Sequence, residues 1–301
     1  MIQMPIAAVF AVLAPLVASA DEFSLCVDPA ATVRKLAGDL KFTEGPVWVP
    51  RDGGFLVFSD IPADELKRWS EKDSLTTFRK PSRNTNGNIL DALGRLISCE
   101  HSGRRLSILE LDGTLRTLVD RFEGKAFNSP NDLAIAKDGA IYFTDPDYGL
   151  RDQPSEIGGC WVFRFDPKNQ RLRVLAKDFD KPNGIALSPD GKLLYVADSG
   201  KPKHIRVFDV EPDGAISNSR VFCTIDKGAP DGIRCDVDGR VWSSAGDGVR
   251  VFDPSGKLLG IIPVPESPAN LCFGGADGKT LFITARTSLY AIEVRVKGLI
   301  Y

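Results

Sequence analysis

From about residue 41 onward the apolar positions of the chain fall into short β-rich runs, each closed by Gly, Pro, Asp, Asn or Ser. The clearest unit runs from Ser129 to Asp145: a polar tip, Pro130-Asn131-Asp132, then Leu133 to Ala136, then the turn Asp138-Gly139, then Ile141-Tyr142-Phe143-Thr144. An Asp-Gly pair between two apolar β-rich segments is a strong hairpin signal, so the unit reads as strand, tight turn, strand. Pro182 to Asp198 repeats it almost residue for residue, and Pro230 to Trp242 repeats it again. Each copy opens on Pro followed by an amide or carboxylate side chain.

With that unit as a ruler, the tips fall at Glu44, Asn86, Asn131, Asn183, Asp231 and Asn270, and subtraction of these numbers gives intervals of 39 to 52 residues. A period of about 40 to 50 residues carrying roughly four short strands is what a β-propeller blade requires. The pattern therefore predicts an all-β fold, a six-bladed β-propeller. Third strands are expected at Val162 to Asp166, Ile205 to Asp209 and Val249 to Asp253, and outer strands at Arg116 to Val119, Leu172 to Leu175 and Val221 to Thr224. Blade 3 carries an insertion, Tyr148 to Gly159, placed to form part of a lid. Blade 6 runs out of chain too early, so a strand near Thr32 to Leu40 is expected to complete it and close the ring. Amphipathic helical periodicity, low-complexity stretches and charge runs are all but missing. Length alone permits two domains, but the repeat predicts one, over residues 21–301.

Residues 1–20 carry no charged side chain, are apolar from Pro5 to Ala20, and end in Ala18-Ser19-Ala20 before Asp21-Glu22. That is the pattern of a signal peptide cleaved after Ala20, although no Lys or Arg opens it. Export, with a periplasmic destination, is the expectation; no other apolar run is long enough to span a membrane. The six cysteines form no Cys-x-x-Cys pair, which removes zinc-ribbon and thioredoxin-like readings and leaves buried thiols, or one disulfide of unreadable pairing. A formal net charge of -2 argues against a nucleic-acid groove or an anionic membrane surface and favours a small-molecule partner.

In a propeller the innermost strands face the central channel, so tips far apart in sequence converge on one axis. Two carboxylates and several amides, with no Cys or His among them, make a hard-oxygen set suited to Ca²⁺ or Mg²⁺, with Mn²⁺ and Zn²⁺ as alternatives. Turn chemistry alone accounts for Asn or Asp after Pro, but not for Glu44 at the equivalent place. His101 ends the second strand of blade 2 on the tip side of the channel, a position for substrate hydrogen bonding or proton transfer. His204 begins a third strand and is expected at the surface. Asp145 and Asp198 end second strands, where bonds to neighbouring turns are expected.

Thr43-Glu44-Gly45-Pro46, Ser129-Pro130-Asn131-Asp132, Pro182-Asn183-Gly184 and Pro230-Asp231-Gly232 resemble the signature of the SMP-30/gluconolactonase/luciferin-regenerating-enzyme family, six-bladed propellers with one divalent metal in the channel. The resemblance spans about residues 40–293. Cys99-Glu100-His101, Val241 to Gly248 and Gly274 to Thr284 resemble its bacterial gluconolactonase branch. By that likeness Glu44, Asn183 and Asp231 hold the metal, and Asn131 either ligates it or holds substrate and water. Asp231 is also the candidate base for the attacking water, while Asn86, His101 and Tyr148 are candidate substrate contacts. Some animal members place an arginine where this chain has Ser129, so their substrate contacts do not transfer. The implied activity is hydrolysis of a sugar lactone such as glucono-1,5-lactone. Two alternatives stay open: organophosphate or aryl-ester hydrolysis at the same metal, and a non-catalytic ligand-binding propeller.

Overall fold

The computed structural model describes residues 21–299, and the Ala18-Ser19-Ala20 cleavage pattern lies outside them. Among the described residues six antiparallel four-stranded sheets build the ring, and Arg121–Phe122 pairs with Lys125–Ala126 as a small two-stranded sheet. Blade 1 comprises Thr43–Val49, Phe55–Asp60, Glu65–Ser70 and Ser74–Arg79; blade 2 comprises Thr85–Leu90, Leu96–Glu100, Arg105–Leu109 and Leu115–Val119. Blade 3 is Leu133–Ile135, Ile141–Asp145, Cys160–Asp166 and Arg171–Phe179; blade 4 is Pro182–Leu187, Leu193–Asp198, His204–Val210 and Ile216–Thr224. Blade 5 is Ile233–Cys235, Val241–Ala245, Gly248–Phe252 and Leu258–Ile262. Blade 6 takes three strands from the end of the chain, Pro268–Gly274, Thr280–Ala285 and Ser288–Glu293, and its outermost one, Arg34–Ala37, from the beginning. Arg34 pairs with Ala291 and Lys35 with Tyr290, which is the ring closure that the short last repeat predicts.

The near-continuous apolar character of the second strands follows from this arrangement, because neighbouring blades cover both faces of each sheet. Along Phe55–Asp60, Leu56 and Phe58 join the cluster shared with blade 6, while Phe55 and Val57 join the one shared with blade 2. The period-2 alternation of a strand thus feeds two different interfaces. Six such apolar clusters fill the spaces between successive blades, the densest in aromatics holding Phe127, Phe143 and Phe163 with ring centroids 5.2 to 5.3 Å apart. Outer strands have only one neighbour and turn polar, as in Leu115–Val119, which is largely exposed.

Residues Glu22–Cys26 form one short helix capped by Asp21, and Cys26 and Val27 plug into the cluster between blades 5 and 6. No helix among the described residues is long and apolar enough to cross a membrane. All six cysteines are free thiols.

Candidate active site

Two kinds of contact hold the tips, and both meet at Asn183. Carboxylates at the ends of second strands anchor the backbone that leads into the tips: Asp60 accepts from the Lys41 and Phe42 N–H groups ahead of Glu44. Asp145 accepts from Asn128 and Ser129 ahead of Asn131, and Asp198 from Asp180 and Lys181 ahead of Asn183. Three tip carbonyls are tied to the preceding blade, whose second strand supplies a hydroxyl. Ser59 Oγ donates to Asn86 O at 2.6 Å, Thr144 Oγ1 to Asn183 O at 2.7 Å, and Ser244 Oγ to Ala269 O at 2.7 Å. Side chains on such a frame are pre-organised, as a catalytic ring requires.

The last of these bonds corrects the register of blade 6. Gly184 N donates to Asp231 O and Gly232 N to Ala269 O, so the residue equivalent to Asp231 is Ala269 and not Asn270. Pro268 aligns with Pro230, and Asn270 sits one residue deeper in the channel. The tip ring is therefore Glu44, Asn86, Asn131, Asn183, Asp231 and Ala269.

Glu44, Asn86, Asn131, Asn183 and Asp231 line one cavity of about 490 Å³ together with His101 and Tyr148. Glu44, Asn86, Asn131 and Asn183 are almost wholly buried; Asp231 keeps some surface toward the cavity, although its Oδ1 is buried. His101 Nε2 lies 3.4 Å from Asn86 Nδ2, and Asn183 Nδ2 donates to Ser199 Oγ at 3.0 Å, which turns the Asn183 carbonyl oxygen away from that bond. Tyr148, 45% exposed, stands at the mouth with Lys181 Nζ 5.8 Å from its ring centre. Ser129 is buried beneath it and pins the insertion, accepting from Gly149 N at 2.8 Å and donating to Pro146 O at 2.6 Å. Beyond Ile61, His101 and Tyr148 a second cavity of about 660 Å³ adjoins, bounded by Leu150 to Gln153 of the insertion.

Sequence reasoning missed a second set of lining residues. Ile61, His101, Ser199, Gly246 and Arg286 each follow directly after a second strand, and all five line the cavity. The position that singled out His101 held the signal for the other four. Arg286 adds a cation at the mouth, 6.0 Å from the Phe42 ring centre. His204 is elsewhere, paired with Thr224 on the outer half of blade 4.

Burial raises the Glu44 carboxyl to about 7, against the opposing Gly45 N–H and with the Asp132 charge adding to the rise. Burial, then the Glu44 and Asp132 charges, hold Asp231 well above the ordinary carboxylate range. Burial pushes the His101 imidazole down to about 4, so it is neutral near pH 7. Two carboxylates that resist ionising together, beside buried Asn86 and Asp231 oxygens without hydrogen-bond partners, are what a cation-binding ring presents when the cation is not counted. No group of three or more His, Cys, Asp or Glu side chains suited to a metal occurs among the described residues. The donor set is instead two carboxylates completed by amide oxygens, which fits a hard divalent cation.

The model of the SMP-30/gluconolactonase/LRE-like region matches residues 42–287. The chain belongs to this family. It is 34% identical to a gluconolactonase of Zymomonas mobilis, over 90% of this chain and 84% of that protein. It is 30% identical to a 6-deoxy-6-sulfogluconolactonase of Pseudomonas putida, over 80% and 82% of the two chains. The solved structure of a gluconolactonase from Xanthomonas campestris superposes with a TM-score of 0.85 at 37% identity, covering 90% of this family member and 92% of that chain.

Proposed function

We propose that this protein hydrolyses sugar lactones of the glucono-1,5-lactone type at the tip ring, with one divalent cation held by Glu44, Asn131, Asn183 and Asp231. The observation that carries the reading is the convergence of these four side chains, from four different blades, on one cavity in a chain whose relatives include gluconolactonases. The all-oxygen donor set favours Ca²⁺, with Mg²⁺, Mn²⁺ and Zn²⁺ as the alternatives to test.

A cation bound there supplies Lewis-acid polarisation of the lactone carbonyl. The chain's own groups do the rest. Asp231 takes a proton from the attacking water as the new C–O bond forms. The ring C–O bond then breaks, and the proton held on Asp231 passes to the departing alkoxide, giving the free hydroxy acid. Neutral His101, against Asn86, offers a ring nitrogen for a sugar hydroxyl, and Tyr148 and Arg286 close the mouth over the remaining hydroxyls.

The test is hydrolysis of a panel of lactones, aryl esters and phosphotriesters by protein stripped of metal and then reloaded with each cation. The reading expects lactone hydrolysis that is lost on stripping and regained on reloading. Preference for phosphotriesters or aryl esters would move the substrate class, and no turnover of any compound would leave a binding propeller.

A further inference from the structure

Beneath the tip ring lies a second layer of polar side chains that the proposed reaction does not use. The residue after the tip is glycine in four blades, Gly45, Gly87, Gly184 and Gly232, but Asp132 in blade 3 and Asn270 in blade 6. A Cβ on Gly87 would crowd the Asp132 carboxylate, and one on Gly232 would collide with the Asn270 amide, so these two glycines leave the space that the two side chains fill. Asp132 is fully buried and Asn270 nearly so. Asn270 Nδ2 lies 3.4 Å from Asp132 Oδ2, and Arg234 Nη1 lies 3.1 Å from the same oxygen. Arg234 belongs to blade 5 and Asp132 to blade 3, with blade 4 between them in the ring, so this bond crosses the channel itself.

At the tip ring and the layer beneath it the channel thus holds three carboxylates, Glu44, Asp132 and Asp231, and one guanidinium, Arg234, while the Arg286 guanidinium stands at the mouth. Removal of Arg234 alone would make this set one unit more negative, and removal of Asp132 alone one unit more positive. We infer that Asp132 and Arg234 are positioning residues whose opposed charges beneath the tip ring set how strongly the channel holds a divalent cation, Asp132 strengthening the hold and Arg234 weakening it. The inference rests on the cation reading above.

A pair that matters only for packing would change cation affinity in the same direction whichever partner is lost; a charge-setting pair gives opposite signs. Ca²⁺ titration calorimetry on Asp132→Asn, Arg234→Gln, the double variant and Arg234→Lys separates these, with far-UV circular dichroism reporting the fold. Asp132→Asn should weaken Ca²⁺ binding and Arg234→Gln should tighten it, each by roughly tenfold or more for a buried unit charge a few ångströms away. The double variant and Arg234→Lys, which keep the net charge, should stay within about threefold of the unmodified protein. Loss of one partner of a buried pair is strongly destabilising. Should either single variant fail to fold, the two charge-conserving variants decide, and a drop of more than about tenfold in either overturns the inference. Single variants that shift affinity the same way overturn it too. An unmodified protein that binds no Ca²⁺, Mg²⁺, Mn²⁺ or Zn²⁺ brings down the proposed centre and this inference together.

Discussion

Asp231→Asn is expected to make the metal-free protein more stable and the enzyme far less active. Asp231 Oδ1 is buried with no hydrogen-bond partner, and its carboxylate faces the like charges of Glu44 and Asp132. Once Asp231 ionises without a cation, the folded state must hold that charge. A buried, unsatisfied polar group costs about 1–3 kcal/mol, and more when charged. Conversion to the amide should therefore stabilise the metal-free protein by about 1–3 kcal/mol at pH 8, a rise in Tm of roughly 2–8 °C for a chain of this size. The sign with pH follows from the raised pKa values. Stability contributed by Glu44 and Asp231 is full below their unfolded values and is lost as pH rises through about 7 for Glu44 and through the elevated range of Asp231. The advantage of the variant should thus shrink as pH falls toward the ordinary Asp value near 4 and widen as pH rises toward 8. In excess Ca²⁺ the order reverses, because a ligand that binds only the native state stabilises the protein that holds it better. Lactone hydrolysis should fall by roughly 10²- to 10⁴-fold and stay low at saturating Ca²⁺, since the base is gone. Glu44→Gln, by contrast, should recover part of its activity under the same conditions. Thermal melting in chelator and in Ca²⁺ at pH 5, 6.5 and 8, beside lactone turnover, checks every step. A variant that melts below the unmodified protein in chelator at pH 8 refutes the burial argument. Full rescue of its activity by Ca²⁺ moves the base elsewhere, with His101 next in line.

His101 stays neutral down to about pH 4, so it should give the kcat/KM profile no inflection between pH 5 and 8; His101→Gln should raise KM by roughly 3- to 10-fold for one lost hydrogen bond and leave the shape of the profile alone. An inflection near 6.5 that the variant abolishes would contradict this. Gly232→Ala places a methyl group against the Asn270 amide and should lower Tm by roughly 2–8 °C, the effect of about 1–3 kcal/mol of overpacking; an unchanged melting curve would show that the second layer yields. Protein recovered from its native cell should begin at Asp21, the residue that caps the first helix; N-terminal sequencing that returns Met1 defeats the export proposal.

The fold was legible because a propeller writes one short pattern many times, and each copy checks the others. Even the closing strand could be inferred, since a blade with three strands and an exposed edge is an incomplete object. The site was legible as far as it shared that repetition: Glu44, Asn131, Asn183 and Asp231 stand in register. Asn270 shows where reading by residue type misleads, because its amide drew the alignment one place past Ala269, the true equivalent. Arg286 and Ser199 escaped because the positions after the second strands vary from Ile to Gly to Arg, so only geometry unites them. The bond between Arg234 and Asp132 joins blades that are not neighbours in the ring, and no periodicity carries that information.

The seam in blade 6 sets a schedule for the chain. Thr43 Oγ1 donates to Ser288 O across 245 residues, and Arg34–Ala37 has no partner strand until Ser288–Glu293 exists. At ordinary rates of synthesis that is a wait of roughly 10 to 50 s, during which the earlier blades can form but the circle stays open. Glu44, on the first strand of blade 1, stands beside this seam. The tip ring is thus assembled only when the last blade arrives, and a chain still being made, or cut short, holds no closed channel.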